Sequence, residues 1–193
     1  MRTAHAITQQ RARAGDVCPT LQTSRLVLRP QRLSDAGSIA KSLSDFQVTR
    51  MLARVPAPYY KQDALEWLIL RTSGTLPDWD FAITCGDDTL IGVVSIEKLH
   101  DEWLLGYWLD RAHWGKGYMT EAVAGVVEHF FKQMPADVLY SGVFADNPAS
   151  LRVQDKLGFQ IIGCHEIYAV ARASMVTHLD TALTAKAFQK PRP

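Results

Sequence analysis

The chain has little of what marks several common protein classes. Its three cysteines, Cys18, Cys85 and Cys164, are odd in number and far apart, so neither a disulfide framework nor a thiolate metal site is expected. Reduced thiols of an intracellular, cytoplasmic protein fit better. No apolar run approaches the roughly 20 residues that cross a bilayer, and no secretory apolar segment follows Met1. A membrane partner is therefore not expected. Net charge is only +1, which supplies no general attraction to nucleic acid. The histidines form no His-Glu-x-x-His or similar spacing, so no metal is expected. Repeats and low-complexity tracts are absent.

What is present suits one globular domain with a sizeable core: 193 residues, 47% of them hydrophobic. Residues 1–20 carry Arg2, Arg11 and Arg13 against one acid, Asp16, without apolar periodicity, and read as a flexible N-terminal extension to a single domain over 21–193. Arg25–Pro30 alternates as a strand, and Ser34 reads as the N-cap of a helix burying Ala36, Ile39, Ala40 and Leu43. A second helix over 61–72 turns Leu65, Leu68 and Ile69 inward. Strands are predicted at 81–84, 90–99 and 103–109, with turns at Asp87-Asp88 and His100–Glu102. Gly106 marks a bulge or a close backbone approach.

A helix from near Thr120 to Met134 has one apolar face and stops at Pro135. A strand at 139–145 follows. Asn147-Pro148 opens a helix whose stripe is Ala149, Val153 and Leu157, and Gly158 ends it. Strands at 160–171 and 175–184 close the chain, as a hairpin. This order predicts an α/β fold with a sheet of mixed direction.

The most informative stretch is His113-Trp114-Gly115-Lys116-Gly117-Tyr118-Met119-Thr120, set between a strand and a helix. Glycines there let the backbone turn sharply and approach a ligand closely. The following helix start offers unpaired N–H groups and a positive dipole end, which favour a phosphate or pyrophosphate. Lys116 precedes Gly117 and Tyr118 follows it, so this is not a P-loop. Thr120 stands where a dinucleotide-binding Gly-x-Gly-x-x-Gly needs Gly or Ala.

On "TSRLVLRP" (23–30), "PYYKQDALEWL" (58–68), "LIGVVSI" (90–96), "LGYWLDRAHWGKGYMTEA" (105–122) and "NPASLRVQDKLGF" (147–159), the chain resembles the GNAT acetyltransferase superfamily. Within it the likeness is to the Rim-type branch, the ribosomal-protein alanine acetyltransferases, and it runs from about Thr23 to Phe188. The resemblance implies a single-domain α/β (α+β) fold. Its central twisted mixed sheet would have about six to seven strands flanked by about four helices, splayed at the cofactor strand.

The resemblance also implies acetyl-CoA as cosubstrate. The pyrophosphate loop falls on Trp114, Gly115, Lys116, Gly117, Tyr118 and Met119, with Thr120 finishing the turn. Trp114 and Met119 depart from the family pattern, and Met119 adds bulk beside the ligand. Tyr107, Trp108 and Leu109 would present backbone groups to the pantetheine arm and thioester carbonyl. Asn147 would bond the pantetheine from the opposite wall, and Arg152 would lie near a phosphate.

The implied chemistry is direct attack of a primary amine on the thioester in a ternary complex. The acceptor would be a protein N-terminus or a small molecule. At pH 7 an α-amino group is roughly 10–15% neutral, and a lysine about 0.04%. A terminal amine therefore needs little help from a base. A backbone N–H near Leu109 would stabilise the oxyanion, a contribution of roughly 3 kcal/mol elsewhere. Many superfamily members place a proton-donating Tyr seven residues after the Asn; here that residue is Gln154, and the Rim-type alternative is Ser150. For the base, Glu97, His100, Glu102, His165, Glu166 and a bound water stay open. Tyr59, Tyr60, Trp67, Trp79 and Trp103 are candidates for the acceptor pocket. Gln154 and Met119 also motivate a rival reading, a CoA-binding module without catalysis. Oligomeric state is not legible, and a homodimer stays open.

Overall fold

The protein, seen here as a computed structural model, is described over residues 18–73 and 78–191. Most of the expected extension, residues 1–17, lies outside them. Cys18 packs half-buried on the core, its thiol 3.6 Å from the Asp80 carbonyl.

Eight strands form one sheet in the order β1-β2-β3-β4-β5-β6-β8-β7. These are β1 (Leu21–Gln22), β2 (Val27–Pro30), β3 (Trp79–Thr84), β4 (Leu90–Leu99), β5 (Glu102–Leu109), β6 (Val138–Phe144), β7 (Gln160–Ala169) and β8 (Ser174–Thr184). Helices α1 (Ala36–Leu43), α2 (Phe46–Thr49) and α3 (Lys61–Arg71) lie between β2 and β3, α4 (Tyr118–Gln133) between β5 and β6, and α5 (Pro148–Leu157) between β6 and β7. The two-residue β1 and the one-turn α2 are too short to leave a periodic signal, which is why the sequence indicates fewer elements.

Strand alternation divides the core. In β3 every residue is buried, but Phe81 and Ile83 pack with α4 and α5 while Ala82 packs with α1 and α3. On α4, Val123, Val126, Val127 and Phe130 are fully buried, each contributing roughly 1.5–3 kcal/mol. The α1–α3 side is thinner: Ala64 and Leu68 are the buried residues of α3, and Ile69, expected inside, is 60% exposed. A narrow stripe suffices there because α3 rests mainly on α1.

Two local expectations change. Ser34 does not cap α1. Asp35 precedes that helix, and its buried carboxylate instead takes the Arg29 guanidinium at 2.8 and 2.9 Å and the Arg32 N–H. Gly106 is no bulge, since β4 and β5 pair without a register shift; a Cβ there would meet the Ser95 hydroxyl at 3.1 Å.

All neighbouring strands are antiparallel except β5 and β6, which the α4 crossover makes parallel. These two pair only at Trp103–Leu139 and Leu104–Tyr140. Beyond that point they part, and the sheet opens into a wedge between 105–109 and 141–144.

Candidate active site

The wedge is where the site forms. Asp110 donates its N–H to the Ile91 carbonyl at 2.8 Å, so even-numbered residues of β5 direct their backbone groups to β4. The odd-numbered ones face the opening. The Leu105 carbonyl accepts the Ser141 hydroxyl across the apex at 3.0 Å, and the Leu109 carbonyl accepts the Trp114 indole N–H at 2.8 Å. The N–H groups of Tyr107 and Leu109 therefore face the opening. The Trp108 backbone does not, since it belongs to the ladder with Val93. Its side chain lines the cavity on the α1–α3 side.

At the mouth of the wedge, Gly115 and Gly117 have φ +75° and +76°, values that side-chain-bearing residues seldom adopt. Gly117 is the N-cap of α4, with no side-chain capping bond, and the helix starts two residues earlier than its sequence suggests. The first helical bond runs from the Glu121 N–H to the Gly117 carbonyl. The N–H groups of Tyr118, Met119 and Thr120 thus project from the helix end, where the dipole favours an anion. Met119 packs against the core while also lining the cavity, so its bulk is partly taken up inside.

The loop is pinned from below. Arg25 bonds Glu121 at 2.7 Å, donates to the Lys116 carbonyl at 2.9 Å, and lies 4.7 Å from the Tyr118 ring centre. Thr23, Ser24 and the Arg25 N–H also donate to Glu121, and these bonds hold its carboxyl down at about 2. Lys116 itself does not line the cavity. The staple explains why "TSRL" and "TEA" occur in one chain, a coupling that sequence order conceals.

On the opposite wall, Asn147 caps α5 by accepting the Ser150 N–H at 3.1 Å. The Ser150 hydroxyl lies 2.7 Å from the Tyr107 hydroxyl, and burial pushes that phenol above its ordinary value. Only the Tyr107 backbone was expected to matter; period-two alternation places its side chain on the α5 face. Gln154 is buried and donates to the Ser141 hydroxyl at 3.0 Å. It braces the apex. Arg152 lines the cavity, as does Lys156 one turn further along the exposed face of α5, which the sequence reading passed over.

One cavity of about 1200 Å³ joins these parts through the wedge to the α1–α3 side. Of the proposed aromatics, Tyr59 and Trp67 line it. Tyr60 points outward, while Trp79 and Trp103 pack edge-on against Phe130. Of the proposed bases, Glu97 alone lines it, contacting Arg54 and Arg71 at 3.2–3.3 Å. His100, Glu102, His165 and Glu166 do not.

His178, not singled out from sequence, does line the cavity. With His165 and Asp180 it forms a cluster whose nitrogens and oxygens lie within 4.8 Å of one another. The histidines are therefore less scattered than their spacing suggests. Each Nδ1 already contacts one oxygen of Asp180, at 3.0 and 3.1 Å, so the cluster is satisfied internally.

The parts fit an acyl-CoA in kind: an opening edged by the Tyr107 and Leu109 amides, an uncapped helix start suited to an anion, and Arg152 and Lys156 on α5. Comparison with known proteins agrees. A family profile for the acetyltransferase (GNAT) domain matches residues 25–160. YoaA, an uncharacterized N-acetyltransferase of Bacillus subtilis strain 168, is 31% identical over 155 residues, 74% of this chain and 83% of YoaA. The probable N-acetyltransferase YjcK of the same organism is 42% identical over 87 residues, 42% of this chain; the match spans about half of YjcK, 48%. Among solved structures, Mycobacterium smegmatis RimJ in complex with CoA-disulfide superposes with a TM-score of 0.76 at 19% identity, covering 88% of each chain. The chain belongs to the GNAT family of acetyltransferases.

Proposed function

We propose that this enzyme moves the acetyl group of acetyl-CoA to a primary amine by direct attack in a ternary complex. The observation that carries the reading is the single cavity joining the α4 helix start, the odd-numbered amides of β5 and the aromatic recess on the α1–α3 side. In it the amides of 118–120, with Gly115 and Gly117, hold the diphosphate, and Arg152 and Lys156 meet the outer phosphate. Tyr107 and Leu109 receive the pantetheine as a false strand from β5. Asn147 faces it from α5. The Leu109 N–H polarises the thioester carbonyl. Ser150, with Tyr107 behind it, donates the proton that the departing thiolate takes.

The acceptor enters from the α1–α3 side, past Tyr59 and Trp67. Asp63, Glu66 and Glu97 line that recess together with Arg54 and Arg71, a surface of mixed charge that suits a polar acceptor entering as the neutral amine, either a protein N-terminus or a small molecule. Holding amine and thioester side by side supplies several kcal/mol of the barrier reduction.

The test has two readouts. Thermal unfolding with CoA at 100 times its dissociation constant should rise by an amount equivalent to about 2.7 kcal/mol. Free thiol should then appear with acetyl-CoA and at least one member of a panel of Ala-, Ser- and Met-starting peptides, polyamines and aminoglycosides. Stabilisation without thiol release on any acceptor would favour a binding module, and the absence of both responses would refute the assignment.

A further inference from the structure

We infer that His178 accepts the proton of the attacking amine, held for that task by Asp180. The inference rests on the acetyl-transfer reading and assigns the base that the sequence left open.

Position comes first. In the β6–β8 ladder, His178 pairs with Phe144 and Asp180 with Gly142, so all four occupy one face of the sheet. Trp108 and Glu97 share that face, while Tyr107 and Ser150 stand on the other. Gly142 lies in the part of β6 that has separated from β5, so it forms the wall of the wedge. A Cβ on it would sit 2.1 Å from Cε1 and 2.3 Å from Nε2 of His178. Glycine inside a strand is unfavourable and marks a close approach. Here the approaching group is the imidazole edge, which occupies the space a side chain would fill.

The tautomer follows from the partners. Nδ1 of His178 is 3.1 Å from Oδ1 of Asp180, and a carboxylate only accepts. The proton of the neutral ring is therefore on Nδ1, and the Nε2 lone pair is the free one. The other Asp180 oxygen is 3.0 Å from His165 Nδ1, which fixes the carboxylate. Phe144 lies edge-on to the His178 ring at 6.1 Å, and His165 does so at 5.4 Å.

The charged surroundings are few. Asp180 on β8 and His165 on β7 flank the ring directly, and β6 presents only Gly142 and Phe144. Arg172, behind Phe144, is paired with Asp146. Burial lowers the His178 pKa below its ordinary value, and Asp180 opposes that shift. The ring is thus neutral at pH 7, while the imidazolium formed in the reaction has its counterion in place. Glu97, the alternative, already faces two guanidiniums.

In the step itself, the amine nitrogen bonds to the thioester carbon and the carbon–sulfur bond breaks. One proton passes from that nitrogen to His178 Nε2, and one from the Ser150–Tyr107 pair to the thiolate. The two proton transfers occur on opposite faces of the sheet, so the attacking and leaving groups do not compete for room.

The test compares His178→Gln, Asp180→Asn and Gly142→Ala with wild type, using an acceptor for which wild-type thiol release has first been shown. Absence of release from wild type would remove the transfer reading itself, and this inference with it. With release in hand, His178→Gln should lower kcat by about 10²-fold or more and abolish the acid limb of the kcat/KM profile, with acetyl-CoA affinity unchanged. Asp180→Asn and Gly142→Ala should each lower kcat by about 10-fold or more through a misplaced ring. Nitrogen-15 NMR should show His178 with hydrogen on Nδ1. A His178→Gln enzyme with wild-type kcat and pH profile, or a ring protonated on Nε2, would overturn the proposal.

Discussion

Arg25 and Glu121, 96 residues apart, meet through a 2.7 Å bond beneath the Gly115–Gly117 loop, and the same guanidinium holds the Lys116 carbonyl. The turn before β2 thereby fixes the loop whose amides begin α4. Two glycines with positive φ would otherwise leave that loop free to take many conformations.

Glu121→Gln should lower CoA affinity by about 10-fold, the scale of one charge-assisted bond, as calorimetry would measure. It should also change acid stability. The Glu121 carboxyl is held at about 2, below its ordinary 4.5, and is only 15% exposed. A depressed acid contributes stability that is complete above pH 4.5 and lost as pH falls towards 2. Urea midpoints at pH 7 and pH 3 should therefore differ more in wild type than in the variant.

Gly117→Asp should abolish measurable CoA binding while leaving the far-ultraviolet circular dichroism unchanged. An L-residue at φ +76° costs about 1–3 kcal/mol, and its carboxylate would oppose a diphosphate at the helix start. Retained affinity, measured by calorimetry, would contradict the cradle.

Ser150→Ala and Tyr107→Phe should each lower kcat by roughly 10²-fold, with acetyl-CoA affinity held within a few-fold. Because the hydroxyls form one 2.7 Å pair, the double variant should lose little more than either single one. Strictly additive losses would separate their roles.

Much of the fold is legible in the residues. The apolar stripe of α4, the Asn147-Pro148 start and Gly158 stop of α5, and the alternation of β4 each follow from local chemistry. The positive-φ glycine turn before α4 and the Asn147 cap that takes the Ser150 N–H are legible for the same reason, since a turn, a helix start and a cap are short-range features. Ser34 and Ile69 were misread because tertiary partners took over: Arg29 claimed Asp35, and α1 needed only a narrow stripe of α3.

Local periodicity and turn chemistry dictate which segments are strands, which are helices and where a glycine turn leaves a helix start uncapped. That β5 and β6 pair at two positions and then part is a tertiary feature, with α4 and α5 packed on one face of the sheet and β8 paired along the far edge of β6. The Arg25 staple, the Tyr107–Ser150 pair and the His178–Asp180 pair in the space left by Gly142 arise in the same way. Each needs residues tens of positions apart to meet, and contacts of that range exist only after the chain has closed around its core.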